Sequence, residues 1–388
     1  MIPYGRHAID ASDIAAVVAV LRSDWLTQGP TIQAFENAVA AYSGARHASA
    51  TANATAALHI ACYALGIAPG KRLWTTPNTF LASANCGRYL GAEVDFVDID
   101  PRTYNMSADA LEEKLTRASR GNRLPDVVVT VAFAGQPCEA DRIAALCSRH
   151  GVRIIDDASH AIGATWQGER VGSGRFADIT VFSFHPVKIL TTGEGGLALT
   201  NDPELHHRLA MFRSHGMERE RDRLENRDEG PWYYEQQALG YNYRITDLQA
   251  ALGLSQLKRM DTFLAHRRRL AARYDRLLAG SGITIPWQHP DGQSAYHLYP
   301  IQVPHASMRR GVFEGLRAKG IGVQVHYIPV HTQPYYRGLG FKAGDFPVAE
   351  AYYSRAISLP MFATLSDPDQ DYVVEQLLEI VTAVGATR

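Results

Sequence analysis

Three short segments carry side chains whose types and spacing could do chemistry. The first runs Thr180-Val181-Phe182-Ser183-Phe184-His185-Pro186-Val187-Lys188 and continues into Thr191-Thr192-Gly193-Glu194-Gly195-Gly196. An apolar strand ends there in a hydroxyl, a lysine and a glycine-rich turn. A lysine leaving a buried strand end is desolvated, which lowers its pKa and makes its amine a nucleophile able to form a Schiff base with a carbonyl cofactor. An ordinary loop lysine would look the same on this segment alone. The second segment is Val152-Arg153-Ile154-Ile155-Asp156-Asp157-Ala158-Ser159-His160. Strand alternation sends its two carboxylates to opposite faces, and the carboxyl end of a parallel strand is where α/β sheets bind ligands. A carboxylate there could hold a pyridine-ring nitrogen protonated, as in pyridoxal 5′-phosphate (PLP) enzymes; helix capping is the alternative, expected for one of the two. The third segment, Thr51-Ala52-Asn53-Ala54-Thr55-Ala56-Ala57-Leu58, opens an apolar helix with small residues. Free N–H groups and a hydroxyl at a helix start make a phosphate cradle, or simply a cap formed by Asn53 or Thr55.

The elements that must position these segments alternate strand and helix, the pattern of an α/β layer fold. Strands are predicted at Arg72–Thr76, Val94–Ile99, Val127–Phe133, Val152–Ile155, Ile179–Phe184 and Leu197–Thr200. Helices are predicted at Ala54–Leu65, Thr79–Leu90, Ala108–Leu115 and Glu139–His150, with a further one after the capping candidates Asp10 and Ser12. Several strands are almost wholly apolar, as in a parallel sheet covered on both faces. The charged stretch from Arg219 to Gly230 reads as an exposed excursion. One long helix is expected over Thr246–Leu278, with its His266-Arg267-Arg268-Arg269 run on a solvated face. Beyond Gly282 come shorter elements at Tyr296–Val303, Met308–Lys319, Gly322–His326 and Pro368–Val384. The expected organisation is an N-terminal segment (1–22), a large mostly parallel-sheet domain (23–260) and a smaller C-terminal α+β domain (261–388).

Composition narrows the functional classes. Lys+Arg total 39 against Asp+Glu 40, a net charge of −1, so no whole-surface attraction to nucleic acid or acidic lipid is built in. Any positive charge for an anionic substrate must therefore be local. The 4 cysteines form no C-x-x-C pair, which argues against a zinc ribbon or disulfide framework and suits a reducing compartment. The N-terminal residues show no basic-then-apolar signal and no apolar run reaches membrane-spanning length, so a cytoplasmic protein is expected. His326 and His331 lack a carboxylate or cysteine at metal-ligand spacing, and no metal is expected. Tyr335-Tyr336 and Tyr352-Tyr353 are expected to be ordinary packing aromatics rather than a base-stacking platform.

The three reactive segments, in this order, resemble the DegT-type sugar aminotransferases, PLP enzymes of fold type I (aspartate aminotransferase-like). The resemblance extends from Tyr4 to about Pro360 and includes Leu26-Thr27-Gln28-Gly29, Thr76-Pro77-Asn78-Thr79-Phe80, the Asp156–Gly163 and Ser183–Lys188 stretches and Gly240-Tyr241-Asn242-Tyr243-Arg244. It implies that Lys188 is the lysine that carries the cofactor and that Asp157 is the partner of the ring nitrogen. His160 would lie beside the ring near its phenolic oxygen, and Phe80 would stack on its face. Ala54, Thr55 and Ser183 would form the phosphate cradle, with Ala54 standing where many relatives have glycine. Asn242 would reach the cofactor phosphate of a neighbouring subunit, implying a homodimer with shared sites.

Within the family, Phe212–Met217, Ala250–Lys258, His297–Ile301 and Gln324–Pro329 are most similar to members that aminate C4 of a UDP-linked 4-keto-6-deoxy sugar with L-glutamate as donor. By that likeness Tyr4, Leu26, Thr27 and the segment Gln324, Val325, His326 and Tyr327 would touch the nucleotide sugar. Asp24 and Trp25, in the same loop, would touch it as well, although they differ from those members. A sister enzyme acting on a dTDP- or GDP-linked sugar, or at C3, is the main alternative. A PLP-dependent sugar dehydratase carries histidine in place of the lysine, so Lys188 argues against it. A non-enzymatic regulator is disfavoured by the intact Lys188, Asp157 and Ser183 and by the lack of a DNA-binding helix pair.

Overall fold

Seven strands assemble in the order β1-β7-β6-β5-β4-β2-β3, where β1 is His47–Thr51, β2 Arg72–Thr75, β3 Glu93–Phe96, β4 Val127–Val131, β5 Arg153–Asp157, β6 Ile179–Ser183 and β7 Gly196–Thr200. All neighbouring pairs are parallel except the two made by β7. The architecture is seen in a computed structural model that describes residues 1–386. The central strands β4 and β6 are buried along their whole length because helices cover both faces. On one face, Ala57, Ile60 and Ala61 of the Ala54–Ala64 helix pack with Leu73, Val127 and Ile155. On the other, Phe35, Phe182, Leu197 and Leu199 join Ile245 and Ala250.

Local chemistry sets the helix ends. Asp10 caps the Ala11–Leu21 helix, accepting from the backbone of Ser12 and Asp13 in a capping box. The expected Thr246–Leu278 helix is in fact two, Asp247–Leu257 and Met260–Leu277. Lys258 N bonds to Ser255 O and Arg259 N to Gln256 O, a three-residue closure that ends the first helix. Arg259 then ion-pairs with Asp10 and Asp13.

The second helix crosses between two cores. Met260, Phe263 and Leu264 pack in the sheet core, whereas Leu270, Ala271 and Tyr274 join a second cluster with Tyr299, Val312, Leu316 and Leu377. That second core is built around an antiparallel pair, β8 (Tyr299–Gln302) and β9 (Ala356–Leu359), with helices Arg309–Ala318 and Asp367–Ala386. Its expected last two residues lie outside the described ones.

The basic run is solvated only in part: Arg269 is exposed, whereas its neighbours turn inward. Arg267 is fully buried and its Nη1 donates to Tyr296 O, His297 O and Met361 O at 3.1, 3.2 and 3.0 Å, while Arg268 donates to Ser294 O and Gly163 O. Three converging carbonyls hold this cation without a carboxylate; sequence periodicity carries no trace of them. Gly322–His326 is also not a regular strand. It is an extended segment whose one bridge joins Gln324 to Ser358, the two residues exchanging both backbone hydrogen bonds.

Candidate active site

The carboxyl ends of β1, β5 and β6 open on one cavity of about 950 Å³. Ten expected residues line it: Tyr4, Ala54, Thr55, Phe80, Asp157, His160, Ser183, Lys188, His326 and Tyr327. Lys188 leaves β6 on its connection to antiparallel β7. Four bonds pin that connection: Lys188 N to His185 O (2.8 Å), Thr192 N and the Thr191 hydroxyl to Phe184 O (both 3.0 Å), and Phe184 N to Gly195 O (2.9 Å). Burial lowers the Lys188 pKa and the Asp157 carboxylate raises it, leaving it at about 8. A substantial fraction of the amine is therefore neutral and nucleophilic near physiological pH.

Asp157 ends β5, is buried, and accepts from the Ser83 hydroxyl at 2.6 Å and from Ser159 N at 3.1 Å. Ser83 in turn shares a 2.7 Å bond with Thr79. Neither carboxylate caps a helix, because the chain after β5 runs through turns instead of entering one. Asp156 points away from the cavity and accepts from the Thr130 hydroxyl at 2.9 Å. Burial, reinforced by the Asp157 charge, raises its pKa to about 7.

Asn53 caps the Ala54–Ala64 helix by accepting from Ala56 N at 2.9 Å, and its carbonyl takes Ala57 N. Capping and cradle therefore coexist: among the described residues the N–H groups of Ala54 and Thr55 have no internal acceptor, and both residues line the cavity beside Ser183. Gly196 lets β7 press against this helix start, since a Cβ there would meet Ala54 N and Asn53 C at 2.4 Å. A helix N-terminus for a phosphate, a buried carboxylate for a ring nitrogen and a lysine for a carbonyl are the groups PLP requires, and the residues present fit it.

Histidines His160, His297 and His326 also line the cavity. The His160 and His297 rings lie 4.4 Å apart, and His326 Nδ1 bonds the Ser358 hydroxyl at 2.8 Å. Burial, aided by the Lys188 charge, holds all three well below the ordinary histidine pKa, His326 at about 3. They are neutral at physiological pH. His297, His59, Tyr241 and Tyr243 also line the cavity without having been singled out. The two tyrosines flank Asn242, and His297 opens the His297–Ile301 match, so the signal was present in the motifs but not attached to those side chains.

Seven expected residues do not line the cavity of this chain: Asp24, Trp25, Leu26, Thr27, Asn242, Gln324 and Val325. Residues 24–27 form an exposed loop, and Asn242 is exposed beside Ser214, to which it is bridged. Among the described residues no group of three or more potential ligands could hold a metal, and no helix is long and apolar enough to cross a membrane.

A mostly parallel α/β sheet that presents a lysine, a buried carboxylate and a helix N-terminus to one cavity defines a PLP-dependent fold type I transferase. The chain belongs to the DegT/DnrJ/EryC1/StrS aminotransferase family, whose model matches residues 7–378. It is 40% identical to the spore coat polysaccharide biosynthesis protein SpsC of Bacillus subtilis, over 98% of this chain and 97% of that protein. It is 36% identical to the UDP-4-amino-4,6-dideoxy-N-acetyl-beta-L-altrosamine transaminase of Campylobacter jejuni, over 99% and 98% of the two chains. The structure is similar to the PLP-form of Spr1654 from Streptococcus pneumoniae, with a TM-score of 0.90, 30% identity and 99% of each chain covered. The protein is thus a sugar aminotransferase of this family.

Proposed function

We propose that the protein moves the amino group of L-glutamate to C4 of a UDP-linked 4-keto-6-deoxy-N-acetylhexosamine, UDP-2-acetamido-2,6-dideoxy-β-L-arabino-hex-4-ulose. This is the transamination step of pseudaminic acid biosynthesis, carried out in the cytoplasm by a homodimer. The observation that carries the reading is the convergence of Lys188 and Asp157 on a cavity that also holds a free helix N-terminus. The substrate choice rests on the likeness of the whole chain to the altrosamine transaminase.

PLP, when bound, supplies the electron sink that makes the amino acid's Cα acidic. Ala54, Thr55 and Ser183 would hold its phosphate, Phe80 would cover its ring and Asp157 would keep its ring nitrogen protonated. Asn242 would complete the phosphate site of a second subunit. Lys188, released from the cofactor, would serve as base and then acid, its Nζ taking the proton from the donor's Cα and holding it for return. An amine titrating near pH 8 suits both directions. On the ketone half-reaction the same nitrogen returns the proton to the sugar carbon. Neutral His160, His297 and His326 bring no competing positive charge to the reacting centre. Tyr4, His326 and Tyr327 would contact the sugar from within the cavity, and the 24–27 loop with Gln324 and Val325 would contact it from its margin.

The identity to SpsC exceeds that to the altrosamine transaminase, 40% against 36%, and favours as second reading a sister enzyme acting on another nucleotide keto sugar. A panel of UDP-, dTDP- and GDP-linked keto sugars incubated with the amine-loaded holoenzyme, read by mass spectrometry, separates the two. The proposed substrate should give the 4-amino product at least tenfold faster than the others. Preferential amination of a dTDP- or GDP-sugar, or at C3, would overturn the assignment.

A further inference from the structure

Three polar side chains form one row across the middle of the sheet, on the face turned away from the Lys188 cavity. Thr130 of β4 is in register with Asp156 of β5, and Asp156 with Thr180 of β6. Two residues back on the same face stand Val128 and Ile154, packed among Leu111, Ile143 and Leu146. A polar row set into so apolar a floor loses its hydration on folding, and each of its groups then needs a partner. Thr130 has one, donating to an Asp156 oxygen at 2.9 Å. Thr180 does not: it is 3% exposed, and among the described residues its hydroxyl meets no donor or acceptor. The second Asp156 side-chain oxygen is likewise without a donor there.

The row faces a second cavity, of about 40 Å³, room for about three water-sized species. Side chains on its walls that could have served Asp156 are engaged elsewhere. Arg175 ion-pairs with Glu169 at 2.9 Å, and the Arg170 guanidinium lies 4.0 Å over the Tyr42 ring. Cys138 Sγ turns to Val131 O, and Trp166 Nε1 donates to Asp141. Among the described residues no ion pair includes Asp156, and the charge that acts on it is the like charge of Asp157. A desolvated carboxylate of this kind is completed by a cation from outside the chain. The ligand set restricts which one. One carboxylate and two hydroxyls are hard oxygen donors, suited to a single positive charge. A doubly charged ion would ask for several carboxylates, and among the described residues no group of three His, Cys, Asp or Glu assembles to hold one.

We propose that this second cavity binds one alkali cation, with an Asp156 carboxylate oxygen and the hydroxyls of Thr130 and Thr180 as ligands and water completing its shell. The Thr130 proton is already given to Asp156, so its oxygen lone pairs are free for the ion. The ion balances the charge that the chain leaves uncompensated. Because β5 ends in Asp157 and β6 leads to Lys188, it also braces from behind the two strands that present those residues. The two cavities share no lining residue, and the binding claim does not depend on the aminotransferase reading.

The test melts the PLP-loaded protein at about pH 8, in tetramethylammonium chloride and with K+ or Na+ replacing the organic cation at constant ionic strength. An alkali cation should raise Tm saturably, by about 3 °C at a hundredfold excess over its Kd. Equal Tm in all three salts would mean that water alone fills the cavity, and the proposal would fall. Asp156→Asn, whose amide oxygen can still accept from Thr130, should need at least about tenfold more cation for the same shift. A response as strong as that of the wild type would place the ion elsewhere and overturn the site. Thr180→Val removes a hydroxyl with no protein partner, so this variant should fold normally in the organic salt and decides the matter even if Asp156→Asn does not fold. It should need roughly three- to tenfold more cation, and an undiminished response would count against the proposal. Anomalous diffraction from crystals grown in rubidium chloride should put the ion against Asp156 and Thr180; rubidium at the surface only would contradict the assignment.

Discussion

Replacing Asp157 by Asn separates the charge of this residue from its shape. Asn keeps an oxygen for Ser159 N, and its amide can donate to Ser83 Oγ, whose own proton can turn to Thr79. No buried polar group is orphaned, so stability should change by no more than about 1 kcal/mol. The electrostatic consequence is larger. Asp157 is the one charge raising the Lys188 pKa against burial, and the balance stands at about 8. A nearby opposite charge shifts a pKa by about one to three units, and solvent in the cavity reduces this, so the midpoint should fall by about one unit. With ring protonation also lost, kcat should drop by about a hundred- to a thousandfold. The midpoint can be read from the pH dependence of covalent labelling of Lys188 in cofactor-free protein, quantified by peptide mass spectrometry. An unchanged or higher midpoint in Asp157→Asn, or turnover within threefold of the wild type, would refute the reasoning.

Other perturbations test the scaffold. Lys188→Met should raise stability below pH 8, by about 1–3 kcal/mol, and the gain should vanish as pH climbs to 10.5. The sign follows from a native pKa of about 8 below the unfolded 10.5: the native state binds fewer protons in that window, so the wild type alone gains stability there; urea melts at pH 7 and 10 check it. His326 is native at about 3 against 6.5 unfolded, so its neutral burial should cost stability as pH falls from 6.5 toward 3, and His326→Gln should flatten the acid limb of Tm against pH. Arg267→Met leaves three buried carbonyls without their shared donor and should lower stability by about 2–4 kcal/mol in denaturant titration. Gly196→Ala drives a Cβ into the backbone of Asn53 and Ala54 and should weaken PLP binding at least tenfold by equilibrium dialysis.

The sheet was legible because its strands are nearly continuous apolar runs, and the predicted β2, β4, β6 and β7 lie within a few residues of the observed ones. What pattern could not show was the break at Lys258–Arg259, where helical periodicity continues on both sides while the hydrogen bonds shorten to three residues. Nor could it show Arg267, whose burial depends on carbonyls 29 to 94 residues away in sequence. At the site, Lys188, Asp157 and the Asn53–Thr55 turn could be read because each sits at a strand end beside glycines or small residues. The orientation of His160 could not, since its Nδ1 accepts from a backbone N–H of another strand's turn. Residues 24–27 and Asn242 lie outside the cavity of a single chain, and their expected roles require a ligand or a second subunit.

The central claim is that Lys188 carries the cofactor. Reduction of the PLP-loaded protein with borohydride, followed by proteolysis and mass spectrometry, tests it directly. The pyridoxyl adduct should fall on the peptide containing Lys188, and Lys188→Ala should lose both the adduct and the visible absorbance. An adduct on another lysine, or absorbance and transamination persisting in Lys188→Ala, would contradict the account.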